Sequence, residues 1–85
     1  MQSTSVLSTT IGKTIRRLRH ERGLVLRDVE HISMAHLSEI ERGRKEASSV
    51  MIETIAKSLH LSTADLLKEV YEELERGSKW ESKTL

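Results

Sequence analysis

Residues 37–43 read Leu-Ser-Glu-Ile-Glu-Arg-Gly and run directly into Arg44-Lys45-Glu46 and Ser48-Ser49. Cationic side chains crowded into a short loop, with hydroxyls beside them, can neutralise phosphates and hydrogen-bond their oxygens. The layout reads as the end of an amphipathic helix, a glycine stop, a basic loop and the serine cap of the next helix. Other chemistry is not spelled out. His31 and His36 are five apart, which does not put them on one helix face as a metal pair needs. His20 and His60 stand alone in expected helices, and neither a glycine-rich phosphate loop nor a nucleophile motif is present. No catalytic residue, metal site or cofactor is therefore assigned, and the enzyme class is set aside.

The frame around these residues is small. Eighty-five residues make one domain with a single modest core. With no Cys, disulfides and thiolate zinc sites are excluded, and an intracellular, cytoplasmic protein fits. No apolar run approaches the roughly 20 residues needed to span a bilayer, so no membrane partner is expected. Residues 1–10 lack a basic start and a long apolar stretch, and read as a floppy N-terminal arm rather than a secretory signal. The absence of Pro and Phe, with four Gly, disfavours a β-sandwich and favours helices. A net charge of +1 hides an asymmetry: residues 12–45 carry nine basic against five acidic side chains, and residues 46–85 five against eight. One half suits a polyanion, the other a protein partner or solvent.

Apolar periodicity places the elements. Ile11, Ile15 and Leu18 define a helix near 11–22 that Gly23 ends. Leu26, Val29, Ile32 or Ser33, Leu37 and Ile40 form the next set, up to Gly43. Ser48-Ser49 caps a helix whose inner face is Met51, Ile52, Ile55, Ala56 and Leu59. Ser62-Thr-Ala-Asp65 has capping-box spacing and opens a helix bearing Leu66, Leu67, Val70, Tyr71 and Leu74, with a stop expected at Gly77. A domain over 11–76 and a polar tail over 77–85 follow.

From Ile11 to about Leu67 the chain resembles the Cro/CI-like (Xre-type) helix-turn-helix DNA-binding domains. Carrying the resemblance are Ile-Gly-Lys-Thr-Ile-Arg-Arg-Leu-Arg-His-Glu-Arg-Gly-Leu at 11–24, Leu-Arg-Asp-Val at 26–29, Leu-Ser-Glu-Ile-Glu-Arg-Gly at 37–43 and the pattern of 50–67. The run through Arg-Lys-Glu-Ala-Ser-Ser is similar to the ClgR-like branch of Clp gene regulators. The resemblance implies an all-α, lambda-repressor-like domain of four to five helices. It also implies a sequence-specific, dimeric regulator that reads double-stranded DNA in the major groove with a recognition helix about 33–42. By position, Met34, Ala35, His36 and Glu39 would contact bases, while Arg27, Ser33, Arg42, Arg44, Lys45 and Ser48 would hold phosphates. Arg19 and Glu41 match a structural ion pair of the family. Beside these roles stand plainer ones: Leu37 and Ile40 as core, Met34 as a filler of a core gap, Glu39 as a solvated acid.

The chain departs from the family at the turn of the motif. Members usually have about fourteen positions between the Leu of Leu-Arg-Asp-Val and the Leu of Leu-Ser-Glu-Ile, yet Leu26 and Leu37 are eleven apart. The missing residues are where a Gly or Asn would take a left-handed conformation. Either the second helix shrinks to about one turn with Ser33 as the next cap, or the motif helices fuse into a rod of about 17 residues, roughly 25 Å long. A fused rod would invite exchange of halves between two chains, and the unbroken stripe from Leu26 to Ile40 slightly favours it. The 62–76 helix, with Val70, Tyr71 and Leu74 as contacts and Trp80 over the seam, is the expected homodimer surface. If the short turn spoils groove reading, dimerisation alone is the alternative function.

Overall fold

In the computed structural model the backbone is described over residues 5–83 and the side chains over residues 5–77. Among the described residues the elements are α1 (Val6–Glu21), a 3-10 turn (Leu26–Asp28), α2 (Met34–Glu41), α3 (Ser49–Ser58) and α4 (Thr63–Lys83), with no strand. Serine starts each α-helix. The Oγ atoms of Ser5, Ser33, Ser48 and Ser62 accept from the backbone N–H of Ser8, His36, Met51 and Asp65 at 3.0–3.2 Å. Each such cap satisfies an otherwise unpaired donor and contributes about 1 kcal/mol. Three helices end alike, on a left-handed residue: Gly23 (φ 67°), Gly43 (φ 75°) and His60 (φ 61°). The N–H one residue further on then reaches back to Arg19, Glu39 and Ala56 carbonyls respectively, at 2.9–3.0 Å.

All four helices feed one core. Ile15 and Leu18 of α1, Val29 just past the 3-10 turn, Leu37 and Ile40 of α2, Ile55, Ala56 and Leu59 of α3 and its C-cap, and Leu66 of α4 are at most 2% exposed and mutually packed. Helix α1 lies against both α2 and α4, and α3 against α4. The α1–α2 approach is close enough that a Cβ at Gly12 would overlap the Ile40 carbonyl oxygen and stand 3.0 Å from that of Glu41. Glycine permits this crossing because it brings no side chain.

The fused rod does not form. Past the 3-10 turn, Val29 is extended, His31 takes φ 67°, and Ser33 (φ −69°, ψ 150°) restarts the helix as the cap of α2. The motif therefore survives with its first helix cut to one turn, and the early helices pack onto the later ones within a single chain. The left-handed position falls on His31, a histidine serving where glycine or asparagine would be usual. A left-handed non-glycine residue costs about 1–2 kcal/mol. Burying one Val, Leu or Ile side chain returns about 1.5–3 kcal/mol, and the break lets Val29, Leu37 and Ile40 reach the same core. The stripe from Leu26 to Ile40 is real, but it is used by a bent chain.

Two further boundaries differ from expectation. The arm assigned to residues 1–10 is helical from Val6 onward, because Ser5 caps it and the Thr10 hydroxyl donates to the Val6 carbonyl at 2.8 Å. The tail assigned to 77–85 is helical through Lys83. Gly77 stops nothing, since a glycine ends a helix only when it turns left-handed, and an interior one merely costs about 1 kcal/mol against alanine. The roles expected of the Trp80 side chain lie outside the described residues.

Candidate nucleic-acid interface

Helix α2 has two faces. Leu37 and Ile40 point inward at 0% and 1% exposure, which settles them as core. Met34, at the first helical position, is 53% exposed, and Ala35 beside it is exposed as well. Met34 therefore fills no core gap. His36 and Glu39 are half-buried on the flanks. Arg27 in the 3-10 turn, Arg42 at the C-cap of α2, and Arg44 and Lys45 in the loop are all exposed. Ser33 and Ser48 are exposed too, with their Oγ atoms already accepting as helix caps.

Behind this surface, Arg19 locks α1 to α2. Its Nε and Nη2 donate to the two carboxylate oxygens of Glu41 at 2.8 and 2.9 Å, and Nη1 donates to the Leu24 carbonyl at 2.8 Å. Both side chains are under 10% exposed. The hydrogen bonds to Glu41 raise the Arg19 pKa, outweighing the burial that opposes them. A planar guanidinium matched to both oxygens of one carboxylate fixes orientation as well as distance. The pair thus holds the outer face of α2 at a set angle to α1.

Several working residues escape the sequence reading. Arg17 bridges α1 to α4, donating to Glu69 at 2.7 Å and to Glu21 at 3.0 Å, with Glu73 at 3.5 Å. Its pKa is raised, chiefly by Glu69 and then by Glu21. Arg22 Nε donates to the Leu59 carbonyl at 2.7 Å, satisfying the end of α3. Gly12 carried the one available signal, a lone glycine inside a helical pattern; the long-range arginines carried none.

On the expected dimer surface the assignment changes. Val70 is 4% exposed and already belongs to the core, so it is not free for a partner. Among the described residues, Leu67 (47% exposed) and Tyr71 (59%) are the large apolar side chains that α4 leaves open, with Leu74 half-buried. Elsewhere, a hollow of about 430 Å³ is lined by Asp28, Glu30, His31, Lys57, Ser58 and His60 among others. Among the described residues no group of three or more His, Asp or Glu is arranged to hold a metal ion.

No family model matches the chain. The transcriptional regulator ClgR of Mycobacterium tuberculosis is 35% identical over 78 residues, covering 88% of this chain and 70% of that protein. Among solved structures, the clp gene regulator ClgR from Corynebacterium glutamicum superposes with a TM-score of 0.82 at 30% identity, over 96% of this chain and 90% of that one. The restriction-modification controller protein C.Esp1396I, as a tetramer in complex with its natural 35-base-pair operator, gives a TM-score of 0.75 at 24% identity, over 81% and 95%. At that identity the likeness concerns the fold alone.

Proposed function

This chain belongs to the family of helix-turn-helix transcriptional regulators that includes ClgR, and from that premise we propose that it binds double-stranded DNA sequence-specifically, as a homodimer, with α2 in the major groove. One observation carries the reading. The start of α2 presents an exposed Met34 and Ala35 while its opposite face is sealed in the core. A half-exposed methionine on the outside of a rigidly anchored helix suits contact with a thymine methyl group. His36 and Glu39 flank it, and Glu39 can accept from a cytosine amino group. Arg27, Arg42, Arg44 and Lys45, with the hydroxyls of Ser33 and Ser48, supply the phosphate contacts that set affinity without reading sequence. The second copy packs through Leu67, Tyr71 and Leu74 of α4, which share one face at i, i+4 and i+7. That a controller protein of the same fold occurs as a tetramer on its operator makes such an assembly compatible with the architecture.

The test is selection of a duplex from a random pool, followed by titration at several salt concentrations. Binding falls linearly in log–log form, with a slope near −0.9 per phosphate neutralised. The double substitution Arg44→Glu, Lys45→Glu weakens all duplexes alike. Met34→Ala relaxes sequence preference and keeps bulk affinity. A folded protein that dimerises but enriches no duplex would leave the interaction module as its function.

A further inference from the structure

We propose that Arg16, Ser38 and Arg42 form a seat for a single phosphodiester of the DNA backbone at the seam of α1 and α2, an assignment that rests on the DNA-binding reading above. A hollow of about 180 Å³ lies there, lined by Arg16 and Arg19 of α1, Leu26 of the 3-10 turn, Ser38 and Glu41 of α2, and Arg42. It is smaller than the roughly 300–1,000 Å³ of small-molecule sites and fits one compact group rather than a ligand. Its charge follows from what its walls have already spent. Glu41, the acid in the lining, has both oxygens bound by Arg19, so that pair cancels. Arg16 and Arg42 are exposed, and among the described residues neither makes an ion pair. The hollow therefore carries two uncompensated guanidinium groups, always protonated and shaped to donate paired N–H bonds to phosphate oxygens. The Ser38 hydroxyl adds a third donor.

Arg17, the next residue along α1, makes the contrast. Its guanidinium is committed to Glu21, Glu69 and Glu73 and is unavailable to an anion. Arg16 differs because it lies about 100° around α1 from Arg17, on the side that lines the α2 seam.

Position matches the role. The eight residues of α2 span about 12 Å at 1.5 Å per residue, close to the roughly 12 Å width of the major groove. With Met34 reading bases at one end, Arg42 at the other meets the strand that bounds the groove.

The experiment compares wild type, Arg16→Gln and Lys57→Gln on the selected duplex between about 50 and 200 mM salt. Arg16→Gln lowers the magnitude of the salt slope by about one and weakens every duplex by the same factor, leaving sequence preference unchanged. Lys57→Gln, an exposed cation on α3 away from the hollow, leaves the slope as it was. Circular-dichroism melts matching wild type show that the variants stay folded. A wild-type slope in Arg16→Gln, or an equal loss in Lys57→Gln, overturns the seat while the DNA-binding reading stands. Absence of any salt-dependent binding by wild type overturns both. Saturation of the hollow by inorganic phosphate in wild type, with the DNA slope of Arg16→Gln unchanged, would make it a free-anion site and refute the proposal.

Discussion

Gly12→Ala and Gly77→Ala make the same chemical change in two helices and should move stability in opposite directions. At Gly77 an added Cβ meets nothing within 4 Å, so only helix propensity acts. Alanine should stabilise there by up to about 1 kcal/mol. At Gly12 the same gain is set against an overlap with the Ile40 carbonyl oxygen and a 3.0 Å approach to that of Glu41. Overpacking of a well-packed interior costs about 1–3 kcal/mol and sometimes more. Here the obstruction is backbone, which cannot rotate away as a side-chain end would. The cost should therefore reach the top of that range, leaving a net loss of about 2 kcal/mol. For a 60–100-residue domain that lowers Tm by about 8–16 °C. Urea and thermal melts followed by circular dichroism provide the measurement. DNA binding should fall together with stability, since α2 must move away from α1 and takes Met34 with it. An unchanged or raised Tm in Gly12→Ala would refute the close α1–α2 crossing.

Arg19→Met strips a carboxylate with 5% exposure of its partner and should cost about 3–5 kcal/mol, whereas Arg76→Met, at a side chain 65% exposed whose partner Glu73 keeps Arg17 beside it, stays within about 0.5 kcal/mol. The Arg19→Met deficit should stay flat between about pH 7 and 10. A base whose pKa is raised in the folded state loses that stability only as pH climbs past its unfolded value, far above this window. His31→Gly removes a left-handed strain of about 1–2 kcal/mol and adds about 0.5–1 kcal/mol of chain entropy to be lost; a stabilisation of about 0.5–1 kcal/mol is expected in urea melts, and a clear destabilisation would contradict the strained-turn account. Leu67→Lys with Tyr71→Lys should shift sedimentation from dimer to monomer with the fold retained, and a persisting dimer would move the interface off α4.

Much of the molecule is legible in one chain because its signals are local. A serine oxygen can reach only the N–H three residues on, so Ser48 and Ser62 mark helix starts wherever they sit. Gly23 and Gly43 mark stops for an equally local reason, the left-handed turn each takes. Spacing alone placed Ile15, Leu18, Leu37 and Ile40 in the core. The Leu37–Gly43 wording carried the family, and the ClgR relatives agree with it.

What the chain could not show by itself was the competition at its shortened turn. Local rules read Leu26 to Ile40 as an uninterrupted helix, since nothing between them forbids it. The break at His31 is chosen by distant partners. Ile15, Ile55, Leu59 and Leu66 offer a single core that Val29, Leu37 and Ile40 can enter together only if the chain bends, and their burial outweighs one strained residue. The same dependence on distant partners decided that Val70 faces inward, that Arg17 is spent on α4, and that Arg16 is left uncompensated beside Arg42. Sequence fixes what each segment can be on its own; which cations stay unpaired, and which stripe bends, is settled only when the segments meet.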